Sequence, residues 1–153
     1  MARTSTPPKS ARLGDFLCFA VYSANLAFGR AYRPILEKLG LTYTQYVTLV
    51  ALSEEDGQTV SSLGEKLFLE SNTLTPILKK LEAQGYVERR RDPADERQVR
   101  ITLTAVGRSV RQQVESGAAD LVEATGLGED FARVQRTVAK LRDNLLNSTG
   151  TKD

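Results

Sequence analysis

One cysteine, Cys18, stands in the stretch "GDFLCFAVYSANLAFGRAYRPI", residues 14–35, among phenylalanines and small apolar residues. A lone cysteine in such company is usually a small hydrophobe filling a core. As a thiolate, the same side chain is a nucleophile towards the O–O bond of a peroxide. A helix starting near Asp15 puts Cys18 in its first turn, where free amides and the helix dipole stabilise negative charge. Tyr22 follows one turn later, and Tyr32 and Tyr43 are phenol donors able to hydrogen-bond a thiolate. Cys18 and Tyr32 are fourteen residues apart, about 20 Å along one helix, and cannot touch within a chain unless the helix folds back. Phe16, Leu17, Phe19 and Phe28 suit a bulky organic peroxide better than hydrogen peroxide, although aromatics on a first helix also simply pack an interface.

The composition narrows the chemistry. At 153 residues, 41% apolar and 26% charged, the chain reads as one soluble globular domain. Zero histidines and one cysteine leave no zinc or iron site and remove most acid–base and triad catalysis, so neither a metal nor a cofactor is expected. A single cysteine cannot form an internal disulfide, which favours a reducing cytoplasm. No apolar run reaches membrane-spanning length and the N-terminus has no signal-peptide stretch, so no membrane partner is expected. The net charge is only +2, so any nucleic-acid affinity must come from local patches.

Residues 1–11, with Pro7 and Pro8, read as a basic flexible tail. The first helical pattern runs from Asp15, is interrupted by Pro34 and closes at Gly40. Thr44 is a candidate cap for a second helix, "QYVTLVALSEED", buried along Tyr46, Leu49, Val50 and Leu52 and ended by Gly57. Two short helices follow, joined by a tight turn around Leu69 to Ser71. In the second, Leu74, Ile77, Leu78 and Leu81 fall on one side. Ser71, Asn72, Thr75, Pro76, Lys79 and, towards one flank, Thr73 and Lys80 occupy the other. Pro76 is tolerable near the first turn, which places the helix start at Ser71 or Asn72. An apolar back and a face of hydroxyls, amide and lysines suit a DNA major groove.

A basic β-hairpin comes next. "YVERRR", with Arg89 and Arg91, pairs with a strand in which Val99, Ile101 and Leu103 alternate with polar residues, and "DPADE" joins them. Residues 79–100 carry seven cations against five anions, so arrangement matters more than count. Asp95 lies two residues before Arg97 and is placed to hold that guanidinium extended towards a minor groove. Thr104 caps "AVGRSVRQQVESGAADLVEAT". In "EDFARVQRTVAKLRDNLL", Phe131, Val134, Val138, Leu141 and Leu145 recur at spacings of three and four.

Helix-turn-helix followed by a basic hairpin is the winged-helix plan. "DPADERQVRITLTAVG" resembles the wing signature of MarR-type transcription regulators, and "GEKLFLESNTLTPILKKLEAQGYVERRRD" is similar to their recognition-helix segment. "LCF" with Tyr32 and Tyr43 downstream resembles the organic hydroperoxide resistance (OhrR) branch. The resemblance covers roughly residues 13–147. It implies a mostly α fold of about six helices plus a small hairpin wing. The winged helix-turn-helix would span 41–103, residues 12–40 and 104–147 would form a dimerisation region, and 148–153 a flexible end. It implies a homodimeric repressor on a pseudo-palindromic double-stranded operator, released when an organic hydroperoxide oxidises Cys18. Both tyrosines would reach the thiol from the partner subunit, and two first helices about a two-fold axis allow that geometry. Residues 104–153 hold no cysteine, so the chain resembles the one-cysteine type, whose oxidised sulfur is captured by a low-molecular-weight thiol. The rival readings are a MarR-type regulator controlled by a small aromatic ligand with Cys18 inert, a thiol peroxidase, and an interaction module that does not bind DNA.

Overall fold

The computed structural model describes residues 11–150. The tail expected over 1–11 and the end expected over 148–153 therefore lie largely outside the described residues. The chain divides into two compact units, Met1–Val114 and Glu115–Asp153.

In the first unit a 3-10 turn, Leu13–Asp15, precedes helix α1, Leu17–Lys38. The Asp15 carboxylate accepts from the Arg12 amide at 3.0 Å and closes this turn, so α1 starts at Leu17 rather than near Asp15. The N-cap position belongs to Phe16, which offers no side-chain bond. Pro34 does not interrupt the helix either: α1 runs through it to Lys38. A proline forfeits one amide bond, and here intact turns on both sides carry the helix past the gap. Only Leu36 of α1 is buried, whereas Leu17, Tyr22, Leu26 and Phe28 are exposed. Gly40, at φ +65°, ends the helix and lets the Leu41 amide return to the Leu36 carbonyl at 3.0 Å.

Helix α2, Tyr43–Glu54, is capped by Thr42, not Thr44. The Thr42 hydroxyl accepts from the Gln45 amide at 3.2 Å, and the Gln45 side chain accepts from the Thr42 amide at 2.9 Å. Gln45 stands three residues after Thr42, and this reciprocal pair decides between the two threonines. Strand β1 (Gln58–Thr59), helix α3 (Val60–Leu67), helix α4 (Ser71–Ala83), strands β2 (Val87–Arg91) and β3 (Val99–Leu103) and helix α5 (Ala105–Gly117) follow. The hairpin gains a third strand that the sequence did not announce. The order is β1-β3-β2, all antiparallel, with Gln58 opposite Ile101 and Arg89 also opposite Ile101 on the other side.

The core lies where α2, α3, α4 and the sheet meet. Leu49, Leu52, Leu63, Leu74, Leu78, Leu81 and Ile101 have no exposed surface, and each such side chain contributes roughly 1.5–3 kcal/mol. Between α3 and α4, Phe68 takes a left-handed conformation at φ +57°. A Cβ on Gly64 would stand 2.6 Å from the Leu69 carbonyl oxygen, so the turn closes only over a glycine. Thr104 caps α5 as expected, accepting from the Gly107 amide at 3.0 Å.

The second unit holds the end of α5, helix α6 (Leu121–Ala124), a 3-10 turn at Gly128–Asp130 and helix α7 (Phe131–Thr149). The single helix expected from Ala105 to Thr125 is thus broken. It stops at Gly117, a poor helix former, and restarts at Leu121. The described residues contain seven α-helices where about six were expected. On α7, Phe131, Val134 and Leu141 are half-buried, and Val138, Leu145 and Leu146 are exposed. No helix among the described residues is long and apolar enough to cross a membrane.

Candidate thiol site and nucleic-acid interface

Cys18 is the second residue of α1 and is exposed. It keeps its first-turn position despite the shifted helix start. Tyr22 lies one turn on, its ring 6.4 Å from that of Phe19. Tyr32 sits fourteen residues further along the same helix, about 21 Å away by helical rise. Its ring is 5.1 Å from Tyr43 and 5.9 Å from Tyr46, and Tyr43 and Tyr46 are 6.4 Å apart. The structure therefore brings Tyr32 and Tyr43 together within one chain and keeps Cys18 away from both. Tyr46 joins them, a residue the sequence reading had assigned only to the core; its spacing of three from Tyr43 was the available signal. Burial, and secondarily the neighbouring Tyr32, push the Tyr43 hydroxyl above its ordinary value of 10.0. It is a protonated donor at neutral pH. An open cleft of about 830 Å³ lies between α1 and the start of α2, lined among others by Asn25, Arg30, Tyr32, Arg33 and Tyr43.

On α4, Leu74, Leu78 and Leu81 are buried, and Ser71, Asn72, Thr73, Pro76, Lys79 and Lys80 are exposed on the outward side. Thr75 is half-buried and donates its hydroxyl to the Ser71 carbonyl at 2.7 Å. The helix starts at Ser71, as expected, which puts Pro76 at its sixth residue, in the second turn rather than the first. Its missing amide leaves the Asn72 carbonyl without a helical donor.

In the wing, Arg91 and Arg97 are exposed. Arg89 is half-buried, with its guanidinium 3.5 Å from Glu82 at the end of α4. Asp95 does not hold the Arg97 guanidinium. Its carboxylate accepts from the Arg97 backbone amide at 3.1 Å and from the Gln98 side chain at 3.3 Å. At a spacing of two, an aspartate reaches the backbone before it reaches a long side chain. The wing's closest ion pair is instead Asp92–Arg100 at 2.7 Å, which the sequence reading had counted only as charge. Asp92 is 7% exposed and also accepts from the Ala94 amide at 2.9 Å. That amide first, and Arg100 second, hold its carboxyl below the usual aspartate value. Arg100 reaches on to the Gly57 carbonyl at 2.9 Å, pinning the wing loop to the turn before β1.

The fold and the outward face of α4 define the class: a winged helix-turn-helix transcription regulator. A family model for the SarA/Rot transcriptional regulators matches residues 30–114. The HTH-type transcriptional regulator TtmR of Methylorubrum extorquens is 46% identical over 142 residues, covering 92% of this chain and 73% of its own. The organic hydroperoxide resistance transcriptional regulator of Bacillus subtilis is 37% identical over 135 residues, 88% of this chain and 92% of its own. The crystal structure of AbfR of Staphylococcus epidermidis superposes with a TM-score of 0.76 at 35% identity, covering 90% of this chain and 94% of that one. AbfR has also been solved bound to DNA in reduced and in overoxidised form, and with a disulfide formed. The chain belongs to the SarA/Rot family of MarR-like winged-helix transcriptional regulators.

Proposed function

We propose that this protein is a cytoplasmic, non-enzymatic peroxide sensor: a homodimeric repressor that holds a pseudo-palindromic operator and releases it when an organic hydroperoxide oxidises Cys18. One observation carries the reading. An exposed thiol stands in the first turn of α1, and Tyr32, fourteen residues further along the same helix, pairs with Tyr43 at the start of α2. Two α1 helices running antiparallel across a two-fold axis place each pair beside the other chain's thiol. The exposed apolar face of α1 supports that packing. The hydroperoxide regulator of Bacillus subtilis and the oxidised AbfR structures support the chemistry.

In the reduced dimer the two phenols donate to the thiolate. The thiolate attacks the terminal oxygen of R–O–OH, so an S–O bond forms as the O–O bond breaks. The alkoxide leaves and takes a proton from water, and sulfur ends as sulfenic acid. A low-molecular-weight thiol then displaces water from that acid to give a mixed disulfide. Oxidation ends the phenol–thiolate bonds and favours a dimer whose reading heads no longer match the operator spacing. On the DNA side, Ser71, Asn72, Thr73, Thr75, Pro76, Lys79 and Lys80 face the major groove. Arg89, Arg91 and Arg97 serve the backbone and minor groove, with Asp95 shaping the loop that presents Arg97.

The test is a gel shift on a duplex selected from random DNA by the reduced protein, with and without cumene hydroperoxide. Wild type is expected to release the duplex and Cys18→Ser to retain it. Release of the serine variant by peroxide sinks the reading. A second reading rests on the cleft, where Arg30 and Arg33 beside Tyr32 and Tyr43 suit a small aromatic carboxylate as effector, with Cys18 inert. Release by benzoate of wild type and Cys18→Ser alike would favour it.

A further inference from the structure

At the Gly85–Tyr86 junction four elements meet within a few hydrogen bonds. The Tyr86 hydroxyl donates to the Leu39 carbonyl at 3.1 Å, and the Gln84 side-chain amide donates to the Gly40 carbonyl at 2.8 Å. Both acceptors belong to the exit from α1. The Tyr86 amide donates back to Leu81 of α4 at 2.9 Å, and the next residue opens β2. The Tyr86 carbonyl accepts from the Thr104 amide at 3.1 Å, while the single Thr104 hydroxyl proton goes to the Gly85 carbonyl at 2.7 Å, with the Tyr86 carbonyl 3.1 Å away. Thr104 caps α5.

These contacts have no slack. A Cβ on Gly107 of α5 would stand 2.1 Å from the Tyr86 carbonyl oxygen, and one on Gly40 would stand 3.2 Å from the Gln84 nitrogen. The Gln84 amide orientation is forced, because only its NH2 can face a carbonyl. Its oxygen stays buried without a partner among the described residues.

We propose that Gln84 and Tyr86 are positioning residues that couple the thiol-bearing helix to the DNA-reading elements. The end of α1 is tied by these two side chains to the stretch where α4 stops and the wing begins. A shift of α1 relative to this junction must either drag α4 and β2 with it or break both bonds. A coupling element of this kind sets the ratio of affinities between two states, not the chemistry at either site. The inference rests on the peroxide-sensor reading above.

Its test measures operator affinity by fluorescence anisotropy on the selected duplex, before and after stoichiometric cumene hydroperoxide. The proteins are full-length wild type, Tyr86→Phe and the double variant Tyr86→Phe/Gln84→Leu. Thiol titration confirms equal oxidation of Cys18, and thermal melting confirms folding. The ratio of reduced to oxidised affinity is expected to fall about tenfold in the double variant and about threefold in Tyr86→Phe. A wild-type ratio in both variants, at full oxidation, overturns the coupling and leaves the sensor reading intact. Absence of any change in wild type overturns the sensor reading, and the coupling falls with it. Tyr86→Phe removes a single oxygen, so it decides the matter even if the double variant fails to fold.

Discussion

Tyr32, two-thirds along α1, and Tyr43, at the start of α2, lie away from Cys18 in its own chain, so on the proposed reading they act on the thiol from the partner subunit. Replacing both with phenylalanine removes two charge-assisted bonds while keeping the rings that pack against Tyr46. The rate at which cumene hydroperoxide consumes the thiol, followed by stopped flow, is expected to fall about tenfold or more. An unchanged rate would detach the tyrosines from the site. Two side chains with shifted pKa values contribute to how stability varies with pH, with opposite signs. Burial raises Tyr43 above 10.0, so its contribution is complete below pH 10.0 and is lost as pH rises through the folded value. The Ala94 amide and Arg100 lower Asp92 below 3.8, so its contribution is complete above pH 3.8 and is lost as pH falls through the folded value. Melting temperature against pH is expected to flatten at the alkaline end in Tyr43→Phe and at the acid end in Asp92→Asn.

The turn between α3 and α4 sets the orientation of the reading helix. Gly64→Ala drives a methyl group into the Leu69 carbonyl, and the displaced atom is backbone rather than a side-chain tip that swings away. A loss of about 1–3 kcal/mol in chemical denaturation is expected, together with weaker duplex binding because α4 must tilt. Leu78→Ala, at a fully buried position, is expected to cost about 2–5 kcal/mol through its cavity. Elements of this kind were legible in the sequence, because the leucines of α4 and the alternation of β3 report burial directly. Pro34 misled because the loss of one bond was read as the end of a helix. β1 went unseen because two residues carry no periodicity and owe their order to β3. Asp95 was read by its distance along the chain from Arg97, whereas Asp92 and Arg100 become neighbours only when the hairpin closes. That Tyr46 packs its ring against Tyr32 and Tyr43 needed the fold of α1 against α2.

Across the whole molecule, the exposed apolar residues of α1 and α7 ask for a second chain. If dimerisation covers them, the melting temperature is expected to rise measurably over an approximately hundredfold increase in protein concentration, and a flat response would count against an obligate dimer. If the thiol site is composite, as proposed, the helical run between Cys18 and Tyr32 has one more consequence, which concerns mixtures of chains. A Cys18→Ser subunit keeps its phenols, and a Tyr32→Phe/Tyr43→Phe subunit keeps its thiol. Each defective homodimer is impaired at both sites. Paired with each other, the two chains rebuild one whole site and concentrate every defect in the other. Two broken alleles therefore complement, and a mixed dimer isolated through two different tags should recover peroxide oxidation at half its thiol-site complement. A site built within one chain allows no such rescue.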